Sequence, residues 1–309
     1  MMKKKLSLAL AAILVTGTLA GCGSGSPDPT QAPSIAPPTQ QQTEAPSTGM
    51  TGTITVVSRE DGSGTRGAFI ELMGIEQKDA DGNKVDMTID TAEITNSTAV
   101  MLTTVAGNAS AVGYISLGSL DNSVKALEVD GVAATVDNIK NGTYAVSRPF
   151  NIATKGDISA TAQDFINYVM SEEGQKIVED NGYISQGNTG AYENKAVAGK
   201  ITVAGSSSVS PVMEKLAEAY MAVNEGVTIE LQTSDSTTGM TSVSEGICDI
   251  GMASRELKDS ELEAGLTPTV IAMDGIAVIV NLENPTVGLM PEQICAVYTG
   301  EITTWDELA

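Results

Sequence analysis

From residue 53 onward, short apolar runs alternate with stretches in which apolar residues recur every three or four positions. The runs Ile54–Val57, Ala111–Ile115, Ile201–Ala204, Val227–Leu231 and Ile276–Val280 read as strands. The spacings Phe69/Leu72/Met73, Phe165/Val169 with Ile177, Val212/Leu216/Val223 and Met240/Val243/Ile247 each line one face of a helix. Strands alternating with helices predict α/β layering. One unit recurs: Ile54-Thr55-Val56 and Ile201-Thr202-Val203 each open a strand, followed by a Ser/Gly turn and an amphipathic helix. Two such units about half a chain apart predict two lobes, each presenting a helix N-terminus. Those ends collect unpaired N–H groups and positive dipole, which suits an anion held between them.

The first 52 residues follow neither pattern. Lys3-Lys4-Lys5, an apolar stretch from Leu6 to Leu19 and then Leu19-Ala20-Gly21-Cys22 read as an export signal over residues 1–22, too short for a comfortable membrane span. The Leu-Ala-Gly-Cys end resembles the lipobox of bacterial lipoproteins, in which the cysteine is diacylated and becomes the new N-terminus. Cys22 is therefore the expected lipidation site, anchoring the chain on the extracytoplasmic face of the cell membrane. Residues 23–52, rich in Pro, Ser, Thr and Gln with almost no large apolar side chain, cannot offset their ordering entropy by burial and form a tether.

Composition narrows the chemistry. A 41% hydrophobic, 18% charged chain of 309 residues folds with a real core. A net charge of −22 argues against a nucleic-acid surface. It leaves a small anionic ligand open, because a buried site answers to nearby N–H dipoles and arginines while distant charge is screened. With no histidine, the chain has no Ser-His-Asp or Cys-His nucleophile and no imidazole base. Cys248 and Cys295 lack CxxC spacing and read as two separate thiols, although export would permit a disulfide.

Three hydroxyl-rich turns precede helices. In the first, Arg59-Glu60-Asp61-Gly62-Ser63-Gly64-Thr65-Arg66-Gly67, the Ser63 and Thr65 hydroxyls and the Gly64 and Thr65 N–H groups can converge on one oxyanion. Arg59 adds a fork of donors, and Asp61 can hold that guanidinium in place. The embedded G-x-G-x-x-G is a weak dinucleotide signal, and no phosphate-binding G-x-x-x-x-G-K-[ST] loop exists for nucleotide hydrolysis. In the second turn, Gly205-Ser206-Ser207-Ser208-Val209-Ser210-Pro211, proline at a first helical position follows a run of hydroxyls, which alone reads as a well-capped helix. The third is Ser234-Asp235-Ser236-Thr237-Thr238-Gly239. A short strand, Asp249–Ala253, then ends in Ser254 and Arg255, the latter free to be an ordinary ion-pair partner.

At these residues the chain resembles the phosphate-binding protein family of bacterial phosphate ABC transporters, within the periplasmic-binding-protein type II superfamily. The matching stretches are ITVVSREDGSGTRG (54–67), YAVSRPFNI (144–152), residues 201–214, 249–257 and YTGEITTW (298–305). The resemblance implies a two-lobed α/β receptor with a hinged cleft, holding desolvated inorganic phosphate and delivering it to permease subunits as a monomer without cofactor or metal. Arg59, Ser63, Gly64 and Thr65 match the ligand set of one lobe (53–145). Ser207, Ser208 and Ser236 match that of the other (146–309). The family's best-studied members carry an aspartate where this chain has Ser254. That acceptor recognises protonated phosphate and rejects ionised sulfate, so here the role falls to another group, Asp61 or a serine oxygen, and Ser254 is assigned to the site on that ground.

The order of the stretches also departs from the family: the later half comes first. The chain reads as circularly permuted, with 186–200 joining the ordinary ends; the other reading makes Ala309 an artificial end of a longer chain. Three alternatives to a phosphate receptor remain: a receptor for sulfate or molybdate, a sensory or adhesive surface module, and a nucleotide-dependent enzyme. Asp79-Ala80-Asp81-Gly82-Asn83 lacks the glycine and closing glutamate of a calcium loop and reads as an Asp-Gly hairpin turn. Tyr114, Tyr298 and Trp305 read as packing residues.

Overall fold

The computed structural model describes residues 49–308. The leader 1–22 with Cys22, and the tether as far as residue 48, lie outside the described residues. The first half runs β1 (Thr55–Arg59), α1 (Gly64–Leu72), β2 (Glu76–Lys78), β3 (Lys84–Asp86), β4 (Glu93–Thr95), α2 (Thr98–Ala106), β5 (Ala111–Ser116), β6 (Val124–Ala126), β7 (Glu128–Val129), α3 (Val136–Lys140) and β8 (Ser147–Lys155). The second half runs α4 (Ala160–Val169), α5 (Glu172–Asp180), β9 (Gly199–Ser206), α6 (Ser210–Val223), β10 (Val227–Ser234), α7 (Ser236–Ser244), β11 (Ile250–Ala253), α8 (Asp259–Glu263), β12 (Leu266–Asn281), β13 (Gly288–Leu289) and α9 (Pro291–Thr299).

The main sheet has the strand order β10-β9-β11-β8-β12-β5-β1-β4, with β6 also on β12. The 16-residue β12 is the strand both lobes share. Its first part, Leu266–Gly275, lies antiparallel to β8, and Ile276–Val280 lies antiparallel to β5. Its apolar side chains accordingly enter two interiors. Ile271 and Ala272 pack with Phe150, Phe165, Val203, Leu216 and Tyr220, whereas Ile276 and Val278 pack with Val56, Phe69, Tyr114 and Tyr298.

The lobe boundaries differ from those expected. Leu289, Ile294, Val297, Tyr298, Trp305 and Leu308 join the core built on β1 and α1, so residues 276–308 belong with the first lobe and not with the second. The physical reason is the length of β12: a strand that leaves one core by crossing into the other carries everything after it across. Residues Gly52–Ile54 and Thr303–Trp305 then run side by side. Ile54 donates its N–H to the Thr303 carbonyl at 2.9 Å, and Trp305 donates to Gly52 at 2.8 Å.

Most local elements match the sequence reading, although Phe165/Val169 and Ile177 fall on two helices, α4 and α5. The Asp79–Asn83 segment is the turn of an antiparallel β2–β3 hairpin, with Gly82 at φ +85°. Tyr114, Tyr298 and Trp305 are buried, Tyr114 stacked on Phe69. By contrast Ile247 lies beyond the end of α7 and is exposed, since apolar spacing alone does not locate where a helix stops, and Leu72 and Val223, the last residues of α1 and α6, are exposed as well. Cys248, buried, and Cys295, partly buried, are free thiols. Among the described residues no helix is long and apolar enough to cross a membrane.

The turns that matter are placed by the parallel pairing of β1 with β4, and of β9 with both β10 and β11. Parallel neighbours end on the same side, so the turns after β1 and β4 emerge together, and so do those after β9, β10 and β11. The crevice at the carboxyl ends of such strands is where open α/β sheets gather ligands.

Candidate functional site

The side chains of the first lobe's turn are set by β1 and α1. Arg59 is the last residue of β1, 2% exposed, and its backbone N–H donates to the Tyr114 hydroxyl at 3.2 Å. Tyr114 in turn shares a 2.8 Å hydrogen bond with Ser58, and burial pushes its phenol up to about 12, so it stays a neutral prop under the strand end. Ser63 caps α1 by accepting the Arg66 N–H at 3.3 Å, leaving its own hydroxyl proton to give. Thr65 comes next on the first turn, buried.

In the second lobe the hydroxyls are spared from capping. The α6 N-cap is Val209, without a side-chain cap bond. The serine run therefore does not cap its helix as expected; Ser207 and Ser208 turn toward the other lobe. Similarly α7 is capped by Asp235, whose carboxylate accepts from the Thr238 N–H at 2.8 Å. That leaves the Ser236 Oγ to accept the Ser254 N–H at 3.1 Å.

The two sets meet. Arg59 Nη2 donates to Ser207 Oγ at 3.1 Å, and Thr65 Oγ1 and Ser208 Oγ are 2.7 Å apart. Ser206 Oγ donates to Ser254 Oγ at 3.0 Å, and the Thr237 N–H donates to the Gly62 carbonyl at 3.1 Å. Gly64 is required for the approach: a β-carbon there would overlap the Ser236 and Ser254 hydroxyls. Arg59, Ser63, Gly64, Thr65, Ser207, Ser208, Ser236 and Ser254 thus form one cluster, each of them buried.

Asp61 does not join it. Its carboxylate is 97% exposed and pairs with Arg66 at 2.9 Å. The residue that holds Arg59 is Glu60, which accepts from Nε at 2.8 Å and from Nη2 at 2.7 Å. Strand alternation would put Asp61, two positions on, beside the guanidinium, but the chain turns at Glu60, whose carbonyl accepts the Ser63 N–H at 2.9 Å, and Glu60 is the residue left next to Arg59. This removes Asp61 as an acceptor for a bound anion. Arg66 is anchored by Asp86 at 2.8 Å and donates to the Arg59 carbonyl at 2.7 Å, which stiffens the turn from behind. Burial alone would raise the Asp86 carboxyl; hydrogen bonds from Thr88 and the Arg66 charge outweigh it and hold the group below its usual range.

Arg255 is an ion-pair partner: it chelates Glu261 through both terminal nitrogens at 2.9 and 2.8 Å. Sequence reasoning missed Glu60, Ser206 and Thr98. The first two stand beside predicted residues. Thr98 is buried on the first turn of α2, its hydroxyl 3.4 Å from those of both Ser207 and Ser208. The signal was present in Thr95-Asn96-Ser97-Thr98, another hydroxyl-rich helix start, but its strand is three residues long and shows no periodicity.

The cluster can do one thing well: surround a small tetrahedral anion with a guanidinium and neutral donors drawn from both lobes. Comparison with known proteins agrees on the lineage. A family model described as a PBP superfamily domain matches residues 8–173 and 190–309. The chain belongs to the PBP superfamily. Within it, the chain belongs with the PstS phosphate-binding proteins. It is 51% identical over 308 residues, 99% of its length and 98% of the relative's, to "Phosphate-binding protein PstS 2" of Streptococcus agalactiae serotype V. It is 46% identical over 309 residues, covering 99% of this chain and all of the relative, to the protein of the same name from Streptococcus pneumoniae serotype 4. The fold matches a crystal structure of the phosphate-binding protein of a phosphate ABC transporter from S. pneumoniae TIGR4. There the TM-score is 0.66 and the identity 49%, over 84% of this chain and 100% of that one.

Proposed function

We propose that this PBP-superfamily protein is an extracytoplasmic solute-binding lipoprotein that captures inorganic phosphate between its lobes and delivers it to the permease subunits of an ABC transporter. The observation that carries the proposal is the meeting of Arg59 and Thr65 from one lobe with Ser207 and Ser208 from the other, all buried. Closure of the lobes around an anion excludes water, and charge-assisted hydrogen bonds gain strength in the lower dielectric that results. The names of the full-length relatives support phosphate as the anion. A receptor that binds and does not catalyse is the reading supported by relatives named as phosphate-binding proteins. Diacylation of Cys22 would keep a monomeric receptor at the membrane, on a tether that enters the lobe bearing Arg59.

The permuted order belongs to the same proposal. Pairing of residues 52–54 with 303–305 supports it, since a short loop could join those segments in relatives of the other order. The S. agalactiae relative, aligned end to end, shares the order seen here.

Isothermal titration with phosphate, sulfate and molybdate tests the proposal. Phosphate is expected to bind far more tightly than either competitor. Sulfate binding of equal strength would overturn the assignment in favour of a general oxyanion receptor, a reading that Ser254 favours because no carboxylate there would repel a fully ionised anion.

A further inference from the structure

We infer that Thr98 is a further anion-binding residue and that α2 supplies another helix N-terminus to the site; the inference rests on the phosphate-receptor reading and deepens it. Three observations carry it. First, the Thr98 hydroxyl is buried and lies 3.4 Å from both Ser207 Oγ and Ser208 Oγ. That is well beyond the roughly 2.7–2.8 Å at which hydroxyls bond best. The Thr65–Ser208 pair, at 2.7 Å, shows that this crevice allows such closeness. Thr98 therefore stands within reach of Ser207 and Ser208, the partners of Arg59 and Thr65, without closing on either.

Second, the capping of α2 is already complete without Thr98. Ser97 Oγ accepts the Val100 N–H at 3.2 Å and its carbonyl accepts from Met101. The Thr98 hydroxyl is thus free of its own helix. The N–H groups of Thr98 and Ala99, as in any first turn, have no intrahelical acceptor, and the dipole there favours negative charge.

Third, Thr98 and Ser207 together line a solvent-connected cavity of about 360 Å³ between α2 and α6. The cavity brings solvent to the α2 end beside Ser207, the residue to which Arg59 donates. The parallel β1–β4 pairing, with Arg59 opposite Thr95, brings this turn level with the one after β1.

The experiment is phosphate titration of the full chain carrying Thr98→Val, Thr98→Ser, Thr98→Asp or Arg59→Ala, with thermal unfolding of each in the absence of phosphate. Valine keeps the shape and removes the hydroxyl; it should raise Kd at least about tenfold, the effect of deleting a hydrogen bond to a charged partner, with the unfolding midpoint unchanged. Serine restores the hydroxyl and should bind within about threefold of wild type. Aspartate suits a helix first turn and preserves the fold, yet should reduce binding more than about a hundredfold by repulsion. If Thr98→Val or Thr98→Asp binds as wild type does while Arg59→Ala is impaired, the role of Thr98 is overturned and the receptor reading stands. If the wild-type chain itself takes up no phosphate, the receptor reading falls and takes this inference with it.

Discussion

Arg59 Nη2 donates to Ser207 Oγ at 3.1 Å across 148 positions of sequence, joining two lobes whose cores share β12 and little else. The same nitrogen is held by Glu60 at 2.7 Å, so the guanidinium is fixed before any ligand arrives. Replacing Arg59 by Ala removes the one cationic donor of the cluster and should weaken phosphate binding by at least about 2 kcal/mol. Lysine should rescue little, because a single ammonium cannot serve Glu60 and Ser207 with the geometry of a fork. Isothermal titration of both variants measures this; Arg59→Ala with wild-type affinity would show that the anion lies elsewhere.

Two glycines of one motif make a matched pair. A β-carbon on Gly64 would overlap the Ser236 and Ser254 hydroxyls, whereas one on Gly67 meets nothing within 4 Å. Gly64→Ala should therefore obstruct lobe closure and cost about tenfold or more in phosphate affinity. Gly67→Ala should leave affinity unchanged and raise stability by about 0.5–1 kcal/mol, as alanine does inside a helix. Titration and urea unfolding of the two variants side by side separate steric obstruction of the cleft from an effect on folding.

The contrast between those glycines also marks what the sequence made legible. Ser207, Ser208 and Ser236 are singled out by the family resemblance; the local pattern shows only the hydroxyl-rich helix starts that carry them, because those are written in consecutive residues. It misjudged how the hydroxyls are used: Val209, not a serine, occupies the α6 N-cap, and this frees Ser207 and Ser208 to face Arg59. It chose Asp61 over Glu60, a difference of one position in a turn whose side-chain directions no local pattern encodes. It placed residues 276–308 in the wrong lobe because the Ile276–Val280 run was only the far end of a 16-residue strand. Thr98 was hidden for a related reason, since the pairing of β4 with β1 is a tertiary fact.

Acid should loosen the turn behind Arg59. Asp86 has its carboxyl held below the usual value by Thr88 and Arg66 despite burial, so its contribution to stability is present above an unfolded pKa of about 4 and is lost as pH falls through the lower native value. Urea unfolding between about pH 5 and 2.5 should show a smaller loss for Asp86→Asn than for wild type. Parallel curves would mean that the Asp86–Arg66 pair does not contribute.

The last prediction concerns the buried pair beside the shared strand. Arg148 and Asp274 sit opposite each other on β8 and β12, Nη2 to Oδ2 at 3.0 Å, with exposures of 2% and 1%. Burial pushes the Asp274 carboxyl up to about 6, and the Arg148 charge offsets only part of that. Between about pH 4 and 6 the native chain thus keeps a proton that the unfolded chain has released, and stability falls as pH rises through that window. Asn is nearly isosteric with the protonated acid. Asp274→Asn should match wild type below about pH 4 and become the more stable of the two above about pH 6, by on the order of 2 kcal/mol. Arg148→Met does the reverse: it leaves a buried carboxylate without its cation and should destabilise the protein at about pH 7 by about 3 kcal/mol. Urea unfolding of the three chains across about pH 3.5 to 7.5 decides between these outcomes, and an Asp274→Asn variant less stable than wild type at neutral pH would show that the ion pair outweighs its desolvation.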